Sequence, residues 1–275
     1  MPNVGILYIC TGRYTVFWPD FYRSFVKNFL PGCPKTFYVF TDAENLEYAR
    51  APDVRCIYQK ALDWPYSTLK RFAVFLGAEA ALAGQDYLFF ANANLLCTAP
   101  VSAQEVLPGP GQDLTVVRHP GYYNAKPLFF PYDRNPRSRA CMPYTAGQVY
   151  VAGGLNGGET AAFLALCHEL DRRTEADLAD GVIARWHDES QLNRYVAENP
   201  ARCRVLDPGY CAPEGAVQPF AEKILVREKA KWIDVAAVKG DKAAATFFQR
   251  KWGAFCENWA PYLLWVRDWA RRRKV

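Results

Sequence analysis

Trp186, His187, Asp188 and Glu189 stand in direct succession in "RWHDESQLNRYV", followed by Ser190 and Gln191. A helix starting near Asp188 would put two carboxylates at its positive N-terminal end. A capped helix with a solvated acidic first turn explains the same letters. A second cluster is "DYLFFANANLLC", where the apolar run Tyr87 to Phe90 ends in Asn92-Ala93-Asn94. Two aspartates at such a strand end would suit a divalent cation, which wants anionic oxygen ligands. Two amides leave either a site that works without metal or a plain turn. A third is "VYVAGGLNGGETAAF", with four glycines between a strand and a helix. It suits a tight turn or close backbone approach to a ligand. It fits neither a dinucleotide fingerprint nor a P-loop. The fourth is "KILVREKAKW", with Lys223, Arg227, Lys229 and Lys231. A solvated basic face and a cover for a diphosphate both remain open for it.

Alternating strands and helices must position these clusters. "VGILYIC" is a first strand ended by Thr11-Gly12, and "KTFYVFTD" a second ended by Thr41-Asp42. "VRCIYQK" is a short third. The segment "TVFWPDFYRSFVKNFL" is helix-like but broken by Pro19. Apolar spacing near 3.6 predicts one helix over 67–82, capped by Ser67. The strand into Asn92 follows. This order argues for a mostly parallel α/β sheet, whose ligands gather at strand C-termini. "GYYNAKPLFFPYDRNPRSRACMP" reads as a long structured loop. The chain of 275 residues, 51% hydrophobic and 22% charged, suits one large α/β domain over 1–275. The net charge of +5 suits an anionic ligand or membrane surface and proves neither. Nine cysteines without a CxxC pair, and an N-terminus lacking a signal-peptide pattern, point to reduced thiols and a cytoplasmic setting. With three histidines, a multi-histidine metal site is not expected. Nothing in the pattern suggests nucleic-acid binding.

Taken together and in order, the stretches "GRY", "YVFTD", "TLKRF", "DYLFFANANL", "RHPGYY", "PYDRNPRSRACMP", "YVAGGLNGG" and "WHDESQLNRY" resemble glycosyltransferase family 6. These are the retaining α-1,3-transferases that include the blood-group A and B enzymes. The likeness runs from about residue 4 to about residue 232, and the last block matches nearly letter for letter. The departure is Asn92-Ala93-Asn94, where animal members carry Asp-x-Asp. The sequence is thus similar to bacterial members that carry Asn-x-Asn and act without metal.

The resemblance implies a single Rossmann-like nucleotide-sugar domain, the A type of glycosyltransferase fold, with a mixed, mostly parallel sheet. It implies donor contacts at Thr11, Tyr14 (stacked near the uracil), Asp42, Arg71, Asn92 and Asn94. It makes Glu189 the central carboxylate and gives Asp188 the donor-sugar hydroxyls. Trp186, His187 and His119 become the acceptor side. With no metal expected and no other cofactor, cationic side chains must neutralise departing UDP, and Arg227, Lys229 and Lys231 are the available cluster. In an extended segment Lys229 and Lys231 would point the same way.

Ala152, Gly153 and Gly154 border the donor sugar in this reading, with Ala152 and Gly154 flanking its C2 substituent. Small residues there leave volume for an acetamido group and favour UDP-N-acetylgalactosamine (UDP-GalNAc) over UDP-galactose. The acceptor implied is a galactose-containing, fucosylated or lipid-linked glycan. The tail from about 233, "NWAPYLLWVRDWARRRKV" at its end, fits a peripheral contact with an anionic membrane or a docked terminal helix. Three rival readings are an inactive sugar-nucleotide-binding protein, a membrane scaffold, and a hydrolase, since weak transfer shows as donor hydrolysis when no acceptor is present. The intact Arg71, Asp188 and Glu189 speak against the first, and the second leaves "WHDESQLNRY" unexplained.

Overall fold

The computed structural model describes residues 1–235 and 260–272. The first two strands, β1 (Val4–Ile9) and β2 (Lys35–Thr41), are parallel, as are β2 and β3 (Val54–Tyr58). The apolar run ending at the asparagines is β4 (Tyr87–Ala91), and a short β5 (Leu95–Cys97) follows. Further strands are β6 (Leu114–Arg118), β7 (Val151–Glu159), β8 (Cys203–Leu206), β9 (Ala212–Pro213) and β10 (Ile224–Val226). One sheet has the order β3-β2-β1-β4-β7-β6-β8, and a second, small one has β5-β10-β9. In the large sheet β7 runs antiparallel to both neighbours, and the remaining pairings are parallel.

Side-chain alternation splits the core into two layers. Val4, Ile6 and Tyr8 of β1 point to one side with Phe89 and Ala91 of β4. The helix α1 (Trp18–Asn28) covers them with Trp18, Phe21 and Phe25. Leu7, Leu88 and Phe90 point to the other side, where Phe72, Phe75, Phe163, Leu166 and Leu170 lie. Pro19 therefore opens α1 rather than breaking a helix. Proline is tolerated in the first turn, where its missing N–H has no partner to lose.

The single helix expected over 67–82 is three short ones: α2 (Tyr66–Leu69), α3 (Arg71–Leu76) and α4 (Glu79–Leu82). Pro65, not Ser67, is the cap of the first. The helical path bends out at Lys70 (ψ 10°) and Ala78 (ψ 12°), which the 3.6 spacing alone does not register. The bend makes Arg71 the first residue of its own helix. A one-turn helix, α5 (Ala103–Val106), precedes β6 and is closed by a capping box between Ser102 and Glu105. The helices α6 (Thr160–Ala179), α7 (Asp188–Glu198) and α8 (Ala260–Arg272) follow.

The glycine-rich run is not a turn. All four glycines lie inside β7. A Cβ on Gly157 would sit 2.3 Å from the Leu88 carbonyl oxygen, and one on Gly158 2.2 Å from that of Asp113. These two glycines let three strands close up. Gly153 and Gly154 serve the site.

Candidate active site

Strand order turns back between β1 and β4, so their C-terminal ends open a crevice. Thr11, Tyr14, Ser67, Thr68, Arg71, Phe90, Asn92 and Lys229 line a pocket there. Asp42 at the end of β2 supports its rim, accepting from the Gly12 N–H at 2.8 Å.

Opposite the crevice, the register of β6 on β7 jumps. Val116 pairs with Asn156, but the next residue, Val117, pairs with Ala152. Residues 153–155 are thereby released from β6. The freed Gly153 N–H donates to Glu189 Oε2 at 2.8 Å, and its carbonyl accepts from Arg71 Nη1 at 3.0 Å. Glu189 Oε1 accepts from the Tyr150 hydroxyl at 2.7 Å. Burial pushes the Glu189 carboxyl up to about 6, while the bonds from Tyr150 and Gly153 pull against that. Asp188 Oδ2 meets Arg71 Nη1 at 2.6 Å, with both side chains nearly buried. Burial raises the Asp188 carboxyl and Arg71 opposes the rise. Arg71 also lies over the Phe90 ring, 4.1 Å from its centroid. One arginine thus joins the crevice wall, the glycine strand and the acidic helix start.

The rest of the "WHDESQLNRY" block holds these acids in place. Asn193 Nδ2 donates to the Val151 carbonyl and its Oδ1 accepts from the Val151 N–H, both at 2.8 Å, clasping α7 to β7. Ser190 Oγ accepts from the Trp186 N–H at 2.9 Å. Gln191 donates to buried Asp177 at 2.8 Å. The long loop contributes here too: the Arg139 N–H donates to Asp177, and Asp133 accepts from the Arg185 N–H. His187, just before α7, has φ +53°, a conformation few non-glycine residues adopt, and its ring meets Trp64 edge-on at 5.3 Å. Trp186 is 45% exposed, with the Arg185 guanidinium over its ring, 5.6 Å from the centroid.

His119 lies on the far side of Tyr150, with ring centroids 5.5 Å apart. Its Nδ1 accepts from the Gly121 N–H at 3.0 Å. Burial lowers its ring to about 4, so it is neutral near pH 7 and the hydrogen-bond network leaves the proton on Nε2.

The basic run does not fold as expected. Lys229–Lys231 is a turn of 3-10 helix, not an extended segment, so its two lysines diverge. Lys229 lines the crevice, its Nζ 5.2 Å from the Tyr14 ring centroid. Lys231 Nζ bridges Glu214 Oε1 at 2.9 Å. Arg227 is buried and anchors the chain, with Nη1 on Asp20 Oδ2 at 3.0 Å and Nη2 on the Phe17 carbonyl at 3.1 Å. Asn92 Oδ1 accepts from the Ala93 N–H at 3.1 Å, and Asn94 is buried. Among the described residues no group of three or more histidine, cysteine, aspartate or glutamate side chains is placed to hold a metal ion.

The expected residues fall at one end of the sheet, except that the Arg227 and Lys231 side chains are engaged by acids elsewhere and the Asn94 amide is engaged by the Arg227 carbonyl. The sequence reading gave no site role to Ser67, Thr68 and Phe90 of the pocket wall, nor to Tyr150 and Asn193. The last two carried a signal: Tyr150 is two residues before Ala152 on a strand, and Asn193 four after Glu189 on a helix. Tyr150→Phe tests the first. Burial also raises the Tyr150 hydroxyl, so it stays a donor. Its hydrogen bond favours the ionised carboxylate, so losing it raises the Glu189 pKa. The acid limb of the pH–rate profile, expected near 6, should move to higher pH, with the rate at pH 8 little changed. An unmoved limb would remove Tyr150 from this role.

Comparison with known proteins identifies the family. The profile of glycosyltransferase family 6 matches residues 2–237. The O-antigen biosynthesis glycosyltransferase WbnI of Escherichia coli is 34% identical over 226 residues, covering 82% of this chain and 94% of the relative. The globoside alpha-1,3-N-acetylgalactosaminyltransferase 1 of Gallus gallus is 30% identical over 237 residues, covering 82% of this chain and 66% of its own length. The histo-blood group ABO system transferase 1 of Rattus norvegicus is 28% identical over 217 residues, 76% of this chain and 60% of its own length. With a profile match over most of its length and a relative above 30% identity across it, the chain belongs to glycosyltransferase family 6 and is a hexosyltransferase.

Proposed function

We propose that this hexosyltransferase moves N-acetylgalactosamine from UDP-GalNAc, with retention and in α-1,3 linkage, to a galactose-containing glycan, and does so without a metal ion. The observation that carries the reading is Glu189, held by Tyr150 and Gly153 next to the small residues Ala152 and Gly154. In this reading the donor's uridine lies by Tyr14 and Thr11, and its diphosphate by Lys229, Asn92 and Arg71. The sugar rests over Gly153 and Gly154, with Asp188 on its hydroxyls. As the C1–O bond to UDP breaks, positive charge develops at C1, and ionised Glu189 stabilises it or attacks there. Lys229 and Arg71 take up the negative charge of UDP. His119, His187 and Trp186 then present the acceptor hydroxyl, whose oxygen bonds to C1, releasing Glu189 where it had attacked, while its proton passes to a phosphate oxygen of UDP.

Donor choice follows from space. A Cβ on Gly154 would meet nothing closer than Asn92 Cβ and Cys211 Sγ, both at 3.9 Å. Alanine therefore fits there without disturbing the fold and takes volume from the ligand side. The wild type should show higher kcat/KM for UDP-GalNAc than for UDP-galactose, and Gly154→Ala or Ala152→Met should narrow or reverse that ratio. A wild type that strongly favours UDP-galactose would replace the donor assignment, and no turnover of either donor would refute the reading.

A peripheral membrane contact belongs to the same proposal. Tyr262 of α8 rests edge-on against Phe129 at 5.2 Å, while Leu263 is 73% exposed in a segment that ends Arg-Arg-Arg-Lys. Among the described residues no helix is long and apolar enough to cross a membrane. Co-sedimentation with phosphatidylglycerol vesicles, and not with neutral ones, is the expected result, and equal behaviour with both would exclude an electrostatic contact.

A further inference from the structure

Asn94 lies at the strand end where two carboxylates would suit a metal, yet its side chain is turned to another task. Its backbone carbonyl accepts from the Arg227 N–H at 2.9 Å. Its side-chain Nδ2 donates to the Arg227 carbonyl at 2.6 Å, across 133 positions of sequence. The two bonds extend the antiparallel ladder of β5 on β10, in which Leu95 pairs with Val226 and Leu96 with Leu225. In an ordinary hydrogen-bonded pair the backbone N–H would make the second bond. Here the side-chain amide supplies it. Two residues beyond Arg227 is Lys229, the cation of this run that reaches the crevice.

We infer that Asn94 is a positioning residue: its amide latches the 224–232 strap and so sets Lys229 in the donor pocket. The inference rests on reading that pocket as the UDP-sugar site. Its physical core is donor chemistry. An ionised carboxylate at position 94 has no hydrogen to give and would set a charged oxygen against the Arg227 carbonyl in a buried place. Asn94 makes the latch with Nδ2 and keeps a buried, unpartnered Oδ1, whereas an aspartate would bring a cation the charge it wants but could not make the latch. Two ways of neutralising a leaving diphosphate, a carboxylate-held cation or a latched lysine, compete for this one position. Restoring an aspartate would then dismantle the lysine route.

The test uses the full-length chain with Asn94→Asp, Asn94→Ala, Lys229→Ala and the Asn94→Ala/Lys229→Ala double variant. Asn94→Ala removes the donor without burying a charge, so it serves if the aspartate variant folds poorly. Hydrogen exchange without ligand should speed up across amides 225–231 in both Asn94 variants and stay as in wild type in Lys229→Ala. Calorimetric titration with UDP should show each single variant weaker by about tenfold, the scale of one lost charge-assisted contact. The double variant should be little weaker than Lys229→Ala alone, because the latch acts through that lysine. Wild-type exchange at 225–231 in both Asn94 variants would overturn the inference. So would losses that multiply in the double variant, or UDP binding by Asn94→Asp that Mn²⁺ restores. If wild-type protein binds no UDP, the reading of the pocket fails, while the exchange result still decides whether Asn94 holds the strap.

Discussion

Glu189→Gln should lower kcat by at least roughly 10² while leaving UDP affinity close to wild type, the pattern of an interaction made chiefly in the transition state. The reason is the geometry of its two oxygens. One takes the Tyr150 hydroxyl and the other the Gly153 N–H, so the carboxylate is fixed beside the small residues of β7. Glutamine keeps the shape and loses the charge that would face a developing cation. Lys229 and Tyr14, which line the pocket and are not the groups that fix the Glu189 oxygens, are untouched. The neighbouring acid is a poor substitute, because Asp188 is already engaged by Arg71 at 2.6 Å. Near-normal turnover by the variant would shift the central role to Asp188 all the same. The pH profile offers a second view. With the Glu189 carboxyl pushed up to about 6, its charged form is lost as pH falls through that value. The wild-type rate should fall there too, and Glu189→Gln should lack that limb.

Arg71→Ala should be the most damaging single change for stability. Arg71 and Asp188 are each 9% exposed at the side chain, so the pair is enclosed on both sides. Taking away the cation leaves an aspartate buried without a counter-charge, which costs about 3 kcal/mol. The Gly153 carbonyl and the Phe90 ring lose their partner as well. A fall in Tm of roughly 5–10 °C is expected for a chain of this size. Adding Asp188→Asn should recover much of the stability, since it removes the stranded charge, but none of the turnover. Thermal unfolding of the wild type, Arg71→Ala and the double variant checks this. A single variant as stable as wild type would mean that the pair is solvated and does not organise the site.

The strands and the acidic block were legible because their signals are local. "VGILYIC" and "YLFFA" are apolar runs that end in polar residues, and such runs are buried wherever they lie in a sheet. "WHDESQLNRY" carries both acids in the first turn of one helix, so its letters reveal them, while the support Asn193 one turn later did not show. What stayed hidden depends on pairing across the chain. The role of Gly153 follows from a register jump between β6 and β7, and composition does not display register. The two lysines share a run but diverge, because one turn of 3-10 helix rotates them apart. Arg227 reads as one more cation, yet Asp20, 207 positions away, claims it. Asn94 reads as half of a failed metal motif, and its partner is 133 positions downstream. Residues 236–259, which include much of the basic tail, lie outside the described structure.

In the proposed reaction side chains, not a metal ion, balance the charge of the leaving UDP. The most direct measurement is the initial rate of transfer from UDP-GalNAc to a galactose-terminated acceptor after exhaustive chelation. The same assay is repeated in excess EDTA and with added Mn²⁺. The rate should be the same in EDTA and rise little with Mn²⁺. An enzyme silent in EDTA and revived by Mn²⁺ would contradict the claim and return Asn92 and Asn94 to the role of metal ligands.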